Sequence, residues 1–155
     1  MDWAAHILEW ANADHKRLRP VDIVEEYKQV IFDELDLMRE TANASSLRRN
    51  FANSTQLYVP EVYWEYSRTN LMVMERIYGT QCTDLITLKK HNTNLKSLAE
   101  TGVEIFFTQV FEHNFFHADM HPGNVYVSLD NPERPSYIAL DMAIMGSLTR
   151  EDQFY

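Results

Sequence analysis

Three polar residues in the second half of the chain have the types that phosphoryl transfer requires. Asp119 and Asn124 stand five positions apart, and Asp141 follows Asn124 after seventeen more. In a phosphoryl-transfer site one carboxylate orients the nucleophile, while an amide oxygen and a second carboxylate hold the metal ion on the phosphates. The three residues therefore supply one complete set of groups for this chemistry.

The pattern around these residues predicts elements that would bring them together. A helical pattern ends near Phe115 and Phe116, Val125–Val127 reads as a short strand, and the apolar run Tyr137–Leu140 reads as a second one. A hairpin between the two strands would return Asp141 towards the turn that carries Asp119 and Asn124. The Asp-to-Asn spacing also equals that of the kinase catalytic loop.

Two other interpretations of the same segment stay open. In the first, Asp119, Asn124 and Asp141 only form turns and strand ends. In the second, His117, Asp119 and His121 alternate along an extended segment and ligate zinc or iron in a hydrolase. The second interpretation gives Asn124 and Asp141 no role. If phosphoryl transfer is correct, His117, His121 and Gly123 support the loop instead.

Composition limits the classes of protein. The chain has 155 residues, 45% hydrophobic and 24% charged, which suits a globular domain with its own core. A net charge of −9 argues against a nucleic-acid partner, because that binding needs clustered Lys and Arg. The single cysteine, Cys82, excludes an internal disulfide. No apolar run approaches the roughly 18 residues of a membrane-spanning helix.

The rest of the chain is predicted to be mostly helical with one further hairpin. The expected elements are a helix over 3–17, one long acidic helix over 21–50, an antiparallel hairpin of 62–66 with 71–77, a short helix over 84–90, and a helix from Thr93 or Asn94 to about Phe115. In the acidic helix, Asp36 and Glu40 lie four positions apart, where like charges repel. Glu34, Asp36 and Glu40 are thus either a solvated face or residues that meet a cation.

Four stretches of the chain match a known family. They are Asp33–Ala44, Tyr58–Tyr63, Val73–Gly79 and Phe115–Asn124. From about Pro20 onward the sequence resembles the UbiB family of atypical, protein-kinase-like proteins, also called AarF or ADCK, in its bacterial form. The resemblance implies an α+β, protein-kinase-like fold that is only partly present. Residues 1–77 would belong to the N-lobe and residues 78–155 to the C-lobe with the catalytic loop.

The resemblance also implies a role for each matching residue. Asp119 would be the catalytic aspartate, Asn124 and Asp141 the magnesium ligands, Glu34 and Asp36 an acidic pair beside the nucleotide, Glu40 the partner of a nucleotide-binding lysine, and Glu75 part of a hinge that touches adenine. The cofactors would be ATP and Mg²⁺, and the role would be support of ubiquinone biosynthesis at the cytoplasmic side of the bacterial inner membrane. Ubiquinone-biosynthetic enzymes or lipid precursors would be partners, with membrane contact through parts outside this chain. A non-catalytic nucleotide-binding scaffold for those enzymes is the alternative.

The chain departs from the family pattern in two places. The family's nucleotide-binding lysine has no match, because Lys16 and Lys28 fall in helical or turn contexts. Ala143 replaces a glycine two positions after Asp141, which predicts backbone strain if that glycine uses a positive φ. Thr149 resembles a helix start, yet few residues follow it. We therefore expect the chain to be part of a longer protein and to be inactive alone.

Overall fold

The computed structural model describes residues 22–27 and 36–152. The chain divides into two compact units, Met1–Asp36 and Leu37–Tyr155. In the first unit, residues 22–27 are helical. The helix predicted over 3–17 and the site residue Glu34 lie outside the described residues. The predicted division into lobes at residue 77 stays a prediction.

Helix α1 (Leu37–Asn50) is the first long element of the second unit. Asp36 is not helical, so the prediction of one unbroken helix over 21–50 is wrong. A tertiary contact marks the new start, because the Leu37 N–H donates to the Thr69 carbonyl at 2.9 Å instead of to a preceding helical turn. The buried face of α1 repeats every three residues through Thr41, Ala44 and Leu47.

Residues 62–74, after α1, fold back on themselves in an antiparallel arrangement, but they do not form the two predicted strands. Antiparallel bridges join Val62 to Met74 and Arg68 to Leu71, and between them Trp64–Tyr66 is a 3-10 helix. The buried Ser67 hydroxyl donates to the Tyr63 carbonyl at 3.0 Å and accepts from the Val73 N–H at 3.1 Å. A side chain therefore satisfies backbone groups that a ladder would have paired.

A four-stranded sheet carries the segments on either side of the candidate site. Its strands follow the order β1-β5-β4-β2, with β1 parallel to β5 and the other neighbours antiparallel. Their bounds are β1 Leu57–Tyr58, β2 Thr80–Gln81, β4 Val125–Val127 and β5 Tyr137–Ala139. The register pairs Val125 with Ala139, which confirms the predicted hairpin.

Two further strands form a separate small sheet. Strand β3 (Phe116–His117) pairs antiparallel with β6 (Met145–Gly146). A Cβ atom at Gly146 would lie 2.8 Å from the Phe116 ring, so only glycine allows this approach. The small sheet therefore joins the segment before the Asp119 loop (residues 118–124) to the segment after Asp141.

Two helices lie between β2 and β3. Helix α2 (Leu85–Lys90) is capped by Asp84, which confirms the predicted short helix, and α3 (Leu95–Phe107) is capped by Asn94. The helical path continues as a π-helical turn, Thr108–Glu112. The end predicted near Phe115 is thus too late, because Asn114 adopts a left-handed φ of 46° and stops the helix.

The main core lies among α1, α3 and the strands β1 and β5. It consists of Ala44, Leu47, Phe51, Leu57, Val59, Val62, Ile105, Ala139 and Met142. Met142 is fully buried and directly follows Asp141. Burial of a side chain of this size contributes about 1.5–3 kcal/mol. The core therefore anchors the backbone immediately next to a candidate site residue.

Candidate active site

The structure brings Asn124 and Asp141 into direct contact. Asn124 ends a 3-10 turn just before β4, and Asp141 lies two residues after β5. Because the two strands are antiparallel, the beginning of one meets the end of the other, and the Leu140 N–H donates to the Asn124 carbonyl at 3.2 Å. The Asn124 Nδ2 group donates to Asp141 Oδ2 at 2.7 Å. An amide and a carboxylate are therefore adjacent where the sequence predicted a metal site.

His117 connects this pair to the catalytic loop. Its Nδ1 accepts from the Asp119 N–H at 3.1 Å, so the ring proton lies on Nε2. Nε2 then donates to the Asp141 carbonyl at 2.7 Å. The ring is buried, and its own backbone N–H donates to Gln109 Oε1 at 3.0 Å. One imidazole thus sets the separation between the loop and the Asp141 segment.

The loop itself folds into a compact turn with Asp119 exposed. The Asp119 carbonyl accepts from the His121 N–H at 2.7 Å, and the His121 carbonyl accepts from the Asn124 N–H at 3.0 Å. His121 Nδ1 accepts from the Gly123 N–H at 3.1 Å. This arrangement fits the loop-supporting roles expected for His121 and Gly123. It leaves the Asp119 carboxylate accessible to a substrate.

Glu40 reaches the same region from α1. Its Oε1 accepts from the Met142 N–H at 3.2 Å. Burial raises the pKa of the Glu40 carboxyl, the Met142 N–H opposes that shift, and the negative charge of nearby Asp141 adds to it. Glu40 therefore contacts the backbone next to Asp141. The sequence did not predict this contact.

Glu75 uses its carboxylate for a structural contact. It accepts from the Tyr58 hydroxyl and from the Glu61 N–H at 3.2 Å. These two bonds, the hydroxyl first, lower the pKa of Glu75. Its side chain thus holds β1 and the segment around Glu61. Asp36 precedes α1 as the last residue of the first unit.

Sequence reasoning missed two residues of the site. Asn43 donates from Nδ2 to the Met142 carbonyl at 2.9 Å, and the buried Gln109 accepts from His117. Asn43 lies three positions after Glu40 and so shares its helix face, which was a usable signal. Gln109 gave no such signal, because the π-helical turn that presents it has no simple sequence pattern.

The strain expected at Ala143 does not occur. Among the described residues other than glycine, only Asn92 and Asn114 have a positive φ. Ala143 instead donates its N–H to Asp141 Oδ1 at 2.9 Å. The alanine therefore fits this backbone without a penalty and helps to orient the Asp141 carboxylate.

The geometry favours a magnesium pair over a zinc site. Both ring nitrogens of His117 are engaged with backbone groups, so it has no free lone pair for zinc. Across the part of the chain that the structure describes, no group of three or more His, Cys, Asp or Glu side chains could hold a metal ion. An amide oxygen and a carboxylate completed by waters are instead the donors that Mg²⁺ accepts. Asn124 and Asp141 therefore fit the implied ion.

Comparison with known proteins agrees with this fold. The family model of the ABC1 atypical kinase-like domain matches residues 1–155. Proteins named "Probable protein kinase UbiB" are 70% identical over 142 residues in Cellvibrio japonicus and 60% identical over 151 residues in Pseudomonas fluorescens strain Pf0-1. These matches cover 92% and 97% of the chain but only 26% and 28% of the relatives. The chain thus spans about a quarter of their length.

A solved structure shares the fold. The Mycobacterium tuberculosis protein Rv3197, determined in complex with erythromycin, matches with a TM-score of 0.58 and 21% identity. The match covers 81% of this chain and 30% of that one. These results confirm the resemblance to UbiB and the partial, α+β, kinase-like fold. The chain belongs to the ABC1 atypical kinase-like family.

Proposed function

We propose that this chain is the catalytic segment of an atypical kinase or ATPase that binds Mg-ATP and supports ubiquinone biosynthesis. The observation that carries the proposal is the 2.7 Å contact between Asn124 and Asp141, joined to the Asp119 loop through His117. The name protein kinase UbiB, given to relatives at 60–70% identity, supports the same activity. The proposal includes a location at the cytoplasmic side of the bacterial inner membrane and ubiquinone-biosynthetic enzymes or lipid precursors as partners.

Each residue has a stated task in the proposed chemistry. The Asn124 amide oxygen and the Asp141 carboxylate would hold Mg²⁺, which neutralises charge on the phosphates when bound. The Asp119 carboxylate orients the attacking hydroxyl or water and accepts its proton. His117 keeps Asp119 and Asp141 at a constant separation, since its two nitrogens bind the backbone of both.

The nucleotide contacts are further parts of the proposal. The Glu75 carboxylate is engaged with Tyr58 and Glu61, so its contact with adenine would use the backbone carbonyl. Glu40 would meet the family's lysine while it accepts from Met142. Glu34 and Asp36 would lie beside the nucleotide.

Across the described ranges, no helix combines the length and apolar character needed to cross a bilayer.

A chimera provides the test. In it, this chain replaces the matching segment of the full-length Cellvibrio japonicus relative. We expect the chimera to bind Mg-ATP and turn it over. Asp119→Asn should lower turnover by about 10²–10⁴-fold, because the variant loses the base, while Mg-ATP binding survives. Asp130→Asn, in the exposed turn between β4 and β5, is the matched control.

The outcomes separate the two candidate functions. Unchanged turnover in Asp119→Asn would contradict a catalytic role for that carboxylate. Mg-ATP binding without any turnover in the unmodified chimera would favour the scaffold. A chimera that binds no Mg-ATP would contradict both.

A further inference from the structure

The residue after Asp141 is held by two side chains of α1. Glu40 accepts from the Met142 N–H at 3.2 Å, and Asn43 donates to the Met142 carbonyl at 2.9 Å. The two side chains are three positions apart and therefore extend from one face of the helix. Together they satisfy both polar backbone groups of one residue, as a neighbouring strand would.

Met142 needs these partners because of where it lies. Strand β5 ends at Ala139, so Met142 has left the sheet and its ladder of hydrogen bonds. Its side chain is nevertheless fully buried in the main core. A buried backbone group without a hydrogen-bond partner destabilises the folded state. Helix α1 therefore replaces the lost sheet contacts at the position where the chain turns away from β5.

Three other groups hold Asp141 itself. His117 of β3 donates to its carbonyl, Asn124 donates to Oδ2, and the N–H of Ala143, two residues further along the same segment, donates to Oδ1. Asp141 thus lies between two sets of hydrogen-bond partners. His117, Asn124 and Ala143 set its carbonyl and carboxylate. On α1, Glu40 accepts from the N–H of the peptide that joins Asp141 to Met142, and Asn43 donates to the carbonyl of the next peptide, whose N–H is the Ala143 group that bonds Asp141 Oδ1.

We propose that Asn43 is a positioning residue that holds Asp141 in the orientation required for magnesium. The inference rests on the proposed function, because it assigns Asn43 to the same metal site. Asn43 carries this task better than Glu40 does. Its neutral amide can donate to a carbonyl at any pH and is not implied in binding a lysine. Loss of the amide frees the Met142 carbonyl, and the Asp141 carboxylate can then turn away from Asn124.

The test uses the chimera with Asn43→Leu, which removes the amide but keeps a side chain of similar shape. Calorimetry would measure ATP affinity across a magnesium series. We expect the magnesium concentration for half-maximal tightening to rise roughly 10-fold, about the effect of losing one fixed hydrogen bond. Affinity for ATP without magnesium should not change. Ser46→Ala is the control, because its exposed hydroxyl bonds within α1 to Ala42.

Hydrogen exchange of the peptide spanning residues 141–146, measured without nucleotide, gives a second readout. Asn43→Leu should speed exchange there, and Ser46→Ala should not. Faster exchange with an unchanged magnesium requirement would overturn the positioning role and leave a purely structural one. Unchanged exchange would overturn the contact itself. If Asn43→Leu does not fold, Asn43→Ser, whose hydroxyl is too short to reach Met142, takes its place in both measurements.

Failure of the proposed function is distinguishable from failure of this inference. An unmodified chimera without magnesium-dependent ATP binding overturns the proposed function and the positioning role with it. An unmodified chimera that binds normally, together with an Asn43→Leu variant of equal magnesium requirement, overturns only the role of Asn43.

Discussion

The His117 ring has one acceptor and one donor, and the protein uses both on backbone groups. Nδ1 accepts from Asp119 and Nε2 donates to the Asp141 carbonyl. The sequence analysis predicted that His117 supports the loop, because phosphoryl transfer leaves it no role as a metal ligand. It could not predict the partner in Asp141, since the contact depends on how β3 and β5 are placed in three dimensions.

We predict that substitution of His117 by Leu weakens both stability and metal binding. The partly buried Asp141 carbonyl and the Asp119 N–H would lose their partners, at a cost of about 1–3 kcal/mol. Urea unfolding would measure the loss of stability, and calorimetry would measure the loss of Mg-ATP affinity. His91→Leu, at an exposed site after α2, should change neither. Equal effects of the two substitutions would contradict the connecting role of His117.

A pH prediction follows from Glu40. Burial raises its pKa above the ordinary value of 4.5, so the folded protein binds this proton more tightly than the unfolded chain does. The stability that Glu40 contributes through this shift is therefore complete below pH 4.5, the ordinary pKa, and is lost as the pH rises through the pKa of the folded state. Glu40→Gln keeps an acceptor oxygen for Met142 and carries no charge.

We expect the stability of Glu40→Gln relative to the unmodified protein to increase between about pH 4 and pH 7. Urea midpoints at both pH values would show this, because the other titrating groups cancel in the comparison. Glu40→Ala is the second variant, and it should be less stable at both values since the Met142 N–H loses its acceptor. If the difference in stability between Glu40→Gln and the unmodified protein stays constant with pH, burial of the Glu40 charge does not destabilise the fold.

At the scale of elements, the π-helical turn after α3 positions His117, the residue that precedes the Asp119 loop. The turn places the buried Gln109 side chain against the backbone of His117. Gln109→Met conserves volume but removes the acceptor. We predict a loss of about 1–3 kcal/mol in the free energy of unfolding, because a buried N–H becomes unpaired. Chemical unfolding would measure it.

Gln56 supplies the matched control for that substitution. Its amide reaches Glu104 at the protein surface, where water can replace the contact. Gln56→Met should therefore change stability by no more than about 0.5 kcal/mol. A Gln109 variant as stable as the Gln56 variant would show that the buried contact contributes nothing.

Elements with a strong local pattern were the ones that the sequence could predict. Strands β4 and β5 are apolar runs separated by a turn rich in Asn, Asp and Pro, and α2 and α3 have Asp84 and Asn94 as caps. The failures have tertiary causes. The start of α1 depends on the hydrogen bond that the Leu37 N–H donates to the Thr69 carbonyl, and Ser67 replaces ladder contacts within the predicted hairpin.

At the scale of the whole molecule, the same limit applies to the candidate active site. The sequence could predict Asp119, Asn124 and Asp141 as its residues because their spacing is local. The hydrogen bonds that join Asn43 and Glu40 to the backbone of Met142 cross about one hundred positions, with sequence separations of 99 and 102. Contacts of that range become visible only once α1 has packed on the core beside β5.

The final prediction concerns the isolated chain, in which the negative net charge disfavours ATP binding while the proposed magnesium ligands favour it. In the proposed function Asn124 and Asp141 would hold Mg²⁺, but the net charge of −9 repels the phosphates of ATP. The resemblance assigns the phosphates a strand lysine, and neither Lys16 nor Lys28 fits that description. We therefore expect the 155-residue chain alone to bind Mg-ATP in the millimolar range or weaker, and the chimera to bind it more tightly. Calorimetry on both proteins, with an Asp141→Asn chimera as control, measures the difference. Micromolar binding by the isolated chain would show that its own residues complete the nucleotide site.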